Sequence, residues 1–224
     1  QRPEEIAKRM GIKFDIRMPM EVVEELNDSG VTAYPNIYPS FFLESNGFRT
    51  NGDSIYPLGG ISNIATIMGN ESGYYPIIDT DECGFNNPKG LYKKNEVDIV
   101  LIGDSFAEGE GVNTRETIGG VLREFGFNAI SLGKGNNGPL IELATLKEYA
   151  EPIKPKIVLW FYYINDVYNL KNELKSSFIK KYLFENNFTQ NLISRQNEID
   201  SVLINYTQLA MNKKIETRKN NNSN

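Results

Sequence analysis

The stretch "VDIVLIGDSFAEGEGV", Val97 to Val112, decides the fold. Val97 to Ile102 is an apolar run broken only by Asp98, which reads as a strand covered on both faces. A Gly-Asp-Ser turn follows, with Gly103 and Gly109 allowing the sharp backbone path that an exposed Ser105 hydroxyl requires. Outward from this strand the pattern repeats. Helix is expected near Glu116 to Phe125, where Ile118, Val121, Leu122 and Phe125 share a face, and a short strand in Ala129 to Leu132. A second helix is expected over Pro139 to Ala150, with Pro in its first turn, and an apolar aromatic strand over Ile157 to Tyr163. Strand, helix, strand, helix, strand predicts a parallel α/β sheet with Val97–Ile102 central.

The flanking regions differ. Residues 1–92 are rich in Pro, Gly, Asn and Tyr and form an irregular N-terminal region, with short helices at Glu4–Met10 and Pro19–Leu26, then extended segments and turns. Within it, "DTDECGFNNP" faintly resembles a calcium loop. Cys83 occupies a ligand position and Gly90 stands where the closing glutamate belongs, so it reads as a turn. Residues 93–224 make the α/β domain. After the third strand two helices are expected, one with Val167, Leu170, Leu174 and Phe178 and one with Ile199, Val202, Leu203, Tyr206 and Leu209 as packing faces. The polar tail "KKIETRKNNNSN" offers too little apolar surface to offset the entropy of ordering and is expected to fray.

Composition bounds the function. The 224 residues are 40% hydrophobic, enough for a sizeable core. Twenty-four basic and 29 acidic residues, spread along the chain, give a net charge of -5 and no basic stripe, so neither nucleic acid nor membrane contact is expected from this segment. No apolar run reaches the roughly 20 residues of a membrane span. The lone Cys83 reads as a structural thiol. There is no histidine, which removes any scheme in which this chain itself supplies an imidazole base or a histidine metal ligand.

A second Gly-Asp-Ser, Gly52 to Ser54, tests whether the tripeptide alone means anything. Ser54 follows an Asn-Gly turn with no apolar strand before it, and it reads as a turn residue. Ser105 leaves a strand at its carboxyl end, where the crevice of an open parallel sheet collects ligand chemistry. The other two strands also end in useful groups: "GKGNNGP" leaves backbone N–H groups free, and Asn165-Asp166 follows "WFYYI". A hydroxyl, backbone donors and a side-chain amide are the parts acyl transfer needs, because each preorganised donor stabilises the oxyanion by roughly 3–4 kcal/mol. Each also has a plainer reading, with Gly-rich turns serving topology and Asn-Asp capping the next helix.

"IVLIGDSFAEGEGV", "ISLGKGNNGPL" and "LWFYYINDV", in that order, resemble the first three sequence blocks of the SGNH (GDSL-type) hydrolases, over about a third of the chain. The resemblance implies a flavodoxin-like three-layer parallel sheet and a serine esterase or acyl hydrolase, with Ser105 as nucleophile. Its oxyanion hole would comprise the Ser105 N–H, the N–H of Gly135 and the Asn165 amide. Asn136 is the alternative to Gly135, because the second block usually has Gly where Asn136 stands. Asp104 is a secondary candidate and, with Glu108, the first suspect for a substitute base. No metal or organic cofactor is implied. The fourth block, Asp-x-x-His, is missing, so the fold is expected to be incomplete, with C-terminal strands missing and the catalytic base beyond this fragment. The bacterial members resembled imply a small-molecule or glycan ester as substrate, acylated surface polysaccharide included, and leave location open between cell envelope and cytoplasm. A non-catalytic glycan-binding or scaffold module that lacks the base is the alternative.

Overall fold

The computed structural model describes residues 3–50 and 53–221. Helices α1 (Pro3–Met10) and α2 (Pro19–Asp28) open the chain, followed by strand β1 (Ala33–Pro35) and a 3-10 turn, Pro39–Phe42. Short strands β2 (Phe48–Arg49), β3 (Ser54–Ile55), β4 (Ala65–Ile67) and β5 (Ile77–Asp79) complete the N-terminal region. There, β1 pairs parallel with β4 and β4 antiparallel with β5, while β2 and β3 form a separate antiparallel pair.

The second part contains β6 (Ile99–Ile102), α3 (Ser105–Glu108), α4 (Ile118–Glu124), β7 (Ala129–Ser131), α5 (Pro139–Thr145), α6 (Glu151–Ile153) and β8 (Ile157–Trp160). The three strands form a parallel sheet in the order β7-β6-β8, with Val100 opposite both Ile130 and Val158. The expected pairing of these segments is therefore present, and the architecture is mixed α/β with small parallel and mixed sheets. Alternate residues of β6 serve different clusters. Ile99 and Leu101 pack with Ala129, Leu122 and Phe161, whereas Val100 and Ile102 join Ile130, Leu140 and Ile141. Burial on both faces is why the strand is apolar at every position.

β8 stands apart. Its four residues are 39–52% exposed, against 0–6% for β6, and one edge is unpaired among the described residues. It carries the sequence of an interior strand without an interior strand's cover.

The two regions share one core. Ile37, Phe42, Ile55, Tyr56 and Leu58 from the first pack in the same cluster as Val100, Ile130 and Leu140 from the second. Hydrogen bonds reinforce the contact: the Tyr56 N–H donates to Gln190 Oε1 at 2.7 Å, and Ser62 N–H and Oγ–H donate to the Asp200 carboxylate at 2.8 and 2.7 Å.

Several details differ from expectation. The helix beginning at Pro139 runs on to Ile153, passing through a π-helical turn at Leu146–Ala150. Beyond β8 the described residues form three α-helices rather than two, α7 (Asp166–Glu173), α8 (Lys181–Phe184) and α9 (Gln196–Asn221). The first expected stripe is split, since α7 ends before Leu174 and Val167 is 52% exposed. In the second, Ile199 and Leu203 are fully buried and Leu209 is exposed. The tail expected to fray continues α9 as far as Asn221. No helix among the described residues is long and apolar enough to cross a membrane.

Candidate active site

Ser105 is the first residue of α3, two residues beyond a glycine that nothing else would replace comfortably. A Cβ on Gly103 would stand 3.1 Å from both Ala107 Cβ and Phe161 Cβ. Asp104 caps the helix, its Oδ1 accepting the Phe106 N–H at 3.2 Å, and Gly109 closes it in the left-handed region at φ 77°. The result is a tight strand-to-helix turn that leaves Ser105 partly buried. Its hydroxyl makes no hydrogen bond among the described residues, and its N–H, first in the helix, has no intrahelical acceptor.

Asp104 and Asn165 join the ends of β6 and β8. Asn165 Nδ2 donates to Asp104 Oδ2 at 3.1 Å, which brings the amide beside the residue preceding Ser105. Asn165 stands at the N-cap position of α7 but makes no side-chain capping bond. The turn-stabilising role falls instead to Asp166, whose Oδ2 accepts the Tyr163 N–H at 2.7 Å. Phe106 and Tyr163, 58% and 51% exposed, lie 5.2 Å apart between ring centroids and flank this end of the sheet.

The loop after β7 is arranged differently from what its glycines suggest. The Gly135 N–H donates to Glu108 Oε2 at 2.7 Å and is therefore not free to meet a substrate oxygen. Asn136, exposed and at φ 61°, uses neither its N–H nor its side-chain amide in a hydrogen bond among the described residues. Glu108 itself is fully engaged. Its Oε1 accepts from Asn36 Nδ2 at 2.8 Å and pairs with Lys134 Nζ at 3.1 Å, and Lys134 donates to Asn36 Oδ1 at 2.7 Å. The ion pair is buried. Of the two suspects for a substitute base, Glu108 is locked in this network and Asp104 is committed to Phe106 and Asn165.

Sequence reasoning passed over Glu142. It is buried on α5, with Oε2 accepting from Trp160 Nε1 at 2.6 Å. Burial pushes its carboxyl up to about 8, and the carboxylates of Asp166, Glu173 and Asp104 push in the same direction. Burial thus favours the protonated acid, against the lowering effect of the hydrogen bond from Trp160, the last residue of β8. Asp166 is also raised, by burial and by Asp104.

The other sequence expectations fall elsewhere. Ser54 lies in the two-residue strand β3, its N–H bonded to Asp53 Oδ1 at 2.6 Å; Gly52 of that tripeptide lies outside the described residues. The segment rejected as a calcium loop is a turn around buried Asp81, whose Oδ1 accepts from Cys83 N–H and Phe85 N–H and whose Oδ2 accepts from Asn87 Nδ2 and Tyr92 O–H. Cys83 is buried, and burial raises its thiol. No group of three or more Cys, Asp or Glu side chains among the described residues could hold a metal ion.

Comparison with family models, with curated proteins and with solved structures gives no match for this chain.

Proposed function

We propose that the chain carries the nucleophile and oxyanion donors of a serine acyl hydrolase of SGNH type, built on a flavodoxin-like three-layer sheet. The observation that carries this reading is the Asn165–Asp104 hydrogen bond, which ties a side-chain amide to the residue before Ser105 where two parallel strands end. Ser105 Oγ attacks the ester carbonyl, forming an Oγ–C bond and a tetrahedral oxyanion. Collapse expels the alcohol with a proton and leaves an acyl-serine, which water or a sugar hydroxyl resolves. The Ser105 N–H and the second Nδ2 hydrogen of Asn165 stabilise the oxyanion. Asn136 N–H is the third donor, in place of Gly135.

The proton acceptor is the missing part, since the sequence has no histidine and both nearby carboxylates are engaged. The engagement of Asp104 and Glu108 favours a second reading, a glycan-binding or scaffold module that retains the crevice without turnover. Hydrolysis of a small acetate ester, with and without added imidazole, separates the two. The acyl-transfer reading expects no Ser105-dependent turnover alone and a clear Ser105-dependent increment with imidazole. Asn165→Ala should reduce that increment by about a hundred- to a thousandfold. An increment unchanged in Ser105→Ala, or lost in Ser54→Ala instead, would overturn the assignment.

A further inference from the structure

The two edges of the β7-β6-β8 sheet are finished differently. On the β7 side, side chains meet the outward backbone groups. Arg123 Nη1 donates to Ala129 O at 2.8 Å, and Asn87 both accepts the Ser131 N–H and donates to Ser131 O, each at 2.8 Å. On the β8 side nothing comparable stands. Ile157 N–H and Phe161 N–H turn inward, to Asp98 O and Ile102 O at 2.9 and 2.8 Å. The alternation of a parallel ladder then directs the N–H and C=O of Val158 and Trp160 outward, where no group among the described residues meets them.

The side chains around this edge decide what fits it. All four β8 residues are apolar and exposed, so a strand laid beside them must be apolar on both of its faces. β8 of a second copy is such a strand. Tyr162 and Ile164, 67% and 80% exposed, extend the apolar surface past its end. At about 200 Å² for a large side chain, these residues offer roughly 600 Å² per copy, most of the ~800 Å² that a standard interface buries on each side.

We propose that β8 pairs antiparallel with β8 of a second copy of this chain, giving a two-fold dimer built on one six-stranded sheet. The outward groups fix the register, because an antiparallel ladder joins outward residues to outward residues. With the two-fold axis at Leu159, Val158 bonds to Trp160 of the second copy and Trp160 to its Val158, an aromatic and β-branched pairing that favours a sheet. Each Lys156, held by Asp98 at 2.7 Å, stays well away from its counterpart. Leu159 meets its counterpart in the non-hydrogen-bonded position, Cα atoms about 4.5 Å apart, within the reach of a disulfide.

That register is testable in the whole chain. Sedimentation equilibrium should show a monomer and a dimer exchanging. Val158→Pro removes an outward N–H that the β6 ladder does not use, and should weaken dimerisation about thirtyfold through two symmetry-related hydrogen bonds. Leu159→Cys, treated with glutathione disulfide, should yield a covalent dimer, whereas Ile157→Cys, whose two copies would stand four residues out of line, should not. Cys83 is buried and takes no part. A monomer at every concentration, dimerisation unchanged by Val158→Pro, or cross-linking as efficient through Ile157→Cys as through Leu159→Cys would overturn the proposal.

Discussion

The Gly135 N–H lies 2.7 Å from Glu108 Oε2, so the helix that begins with Ser105 holds the backbone of the loop after β7 through one buried carboxylate. The same carboxylate neutralises Lys134, which is 3% exposed. Positioning of the loop and charge balance in the core are therefore one arrangement.

Removing that carboxylate should be costly. Glu108→Ala leaves Lys134 buried without its counter-ion and Gly135 N–H without an acceptor, and is expected to destabilise the fold by about 3–5 kcal/mol. Glu108→Gln keeps an acceptor for the N–H but not the charge, and should cost less. Urea unfolding of the three proteins checks the order; equal stabilities would mean that the network contributes nothing.

Stability should fall as pH rises from about 5 to 8. Folding raises Glu142 from an ordinary value of 4.5 to about 8, Glu173 from 4.5 to about 7 and Asp81 from 3.8 to about 6, with burial the leading cause in each case. Between the unfolded and folded values the native state holds protons that the unfolded chain has released, so ΔG of unfolding decreases with pH. Above about pH 8 this loss is complete for all three. Thermal melts across this range test the slope, and Glu142→Gln, which keeps an acceptor for Trp160, should flatten it most. Because the chain has one tryptophan, its fluorescence should follow the Glu142 titration directly.

The open edge of β8 should make the chain self-associate. Ile157–Trp160 offers an apolar strand with unpaired backbone groups and none of the charges, prolines or bulges that blunt natural edges. Sedimentation velocity should show concentration-dependent species that Val158→Lys reduces. A monomer at all concentrations would mean that the edge is protected in solution.

Much of this was legible in the chain. The parallel sheet was readable because β6, buried on both faces, is apolar at every position, and Ser105 could be separated from Ser54 by the strand that precedes it. Asn165 was readable from its place after β8. The Asn36–Glu108–Lys134 network was not, because its members lie 72 and 98 residues from Asn36 and follow no period. The strands β1, β4 and β5, each three residues long, are too short to show alternation. Composition alone gives no sign that α9 enters the tail as far as Asn221. α9 is already nucleated and anchored by Ile199 and Leu203, and extending it adds one hydrogen bond per residue without a new nucleation cost.

The core shared between the two regions governs the order in which the chain can become structured as it is made. Residues 1–92 leave the ribosome before residues 93–224, yet Tyr56 waits for Gln190 and Ser62 for Asp200, contacts separated by 134 and 138 residues. Closing loops of that length before any contact compensates for the lost entropy slows folding. Until Asp200 has left the exit tunnel, the early segment displays Ile37, Phe42, Ile55 and Leu58 without their partners, the kind of transient apolar exposure that favours aggregation over folding.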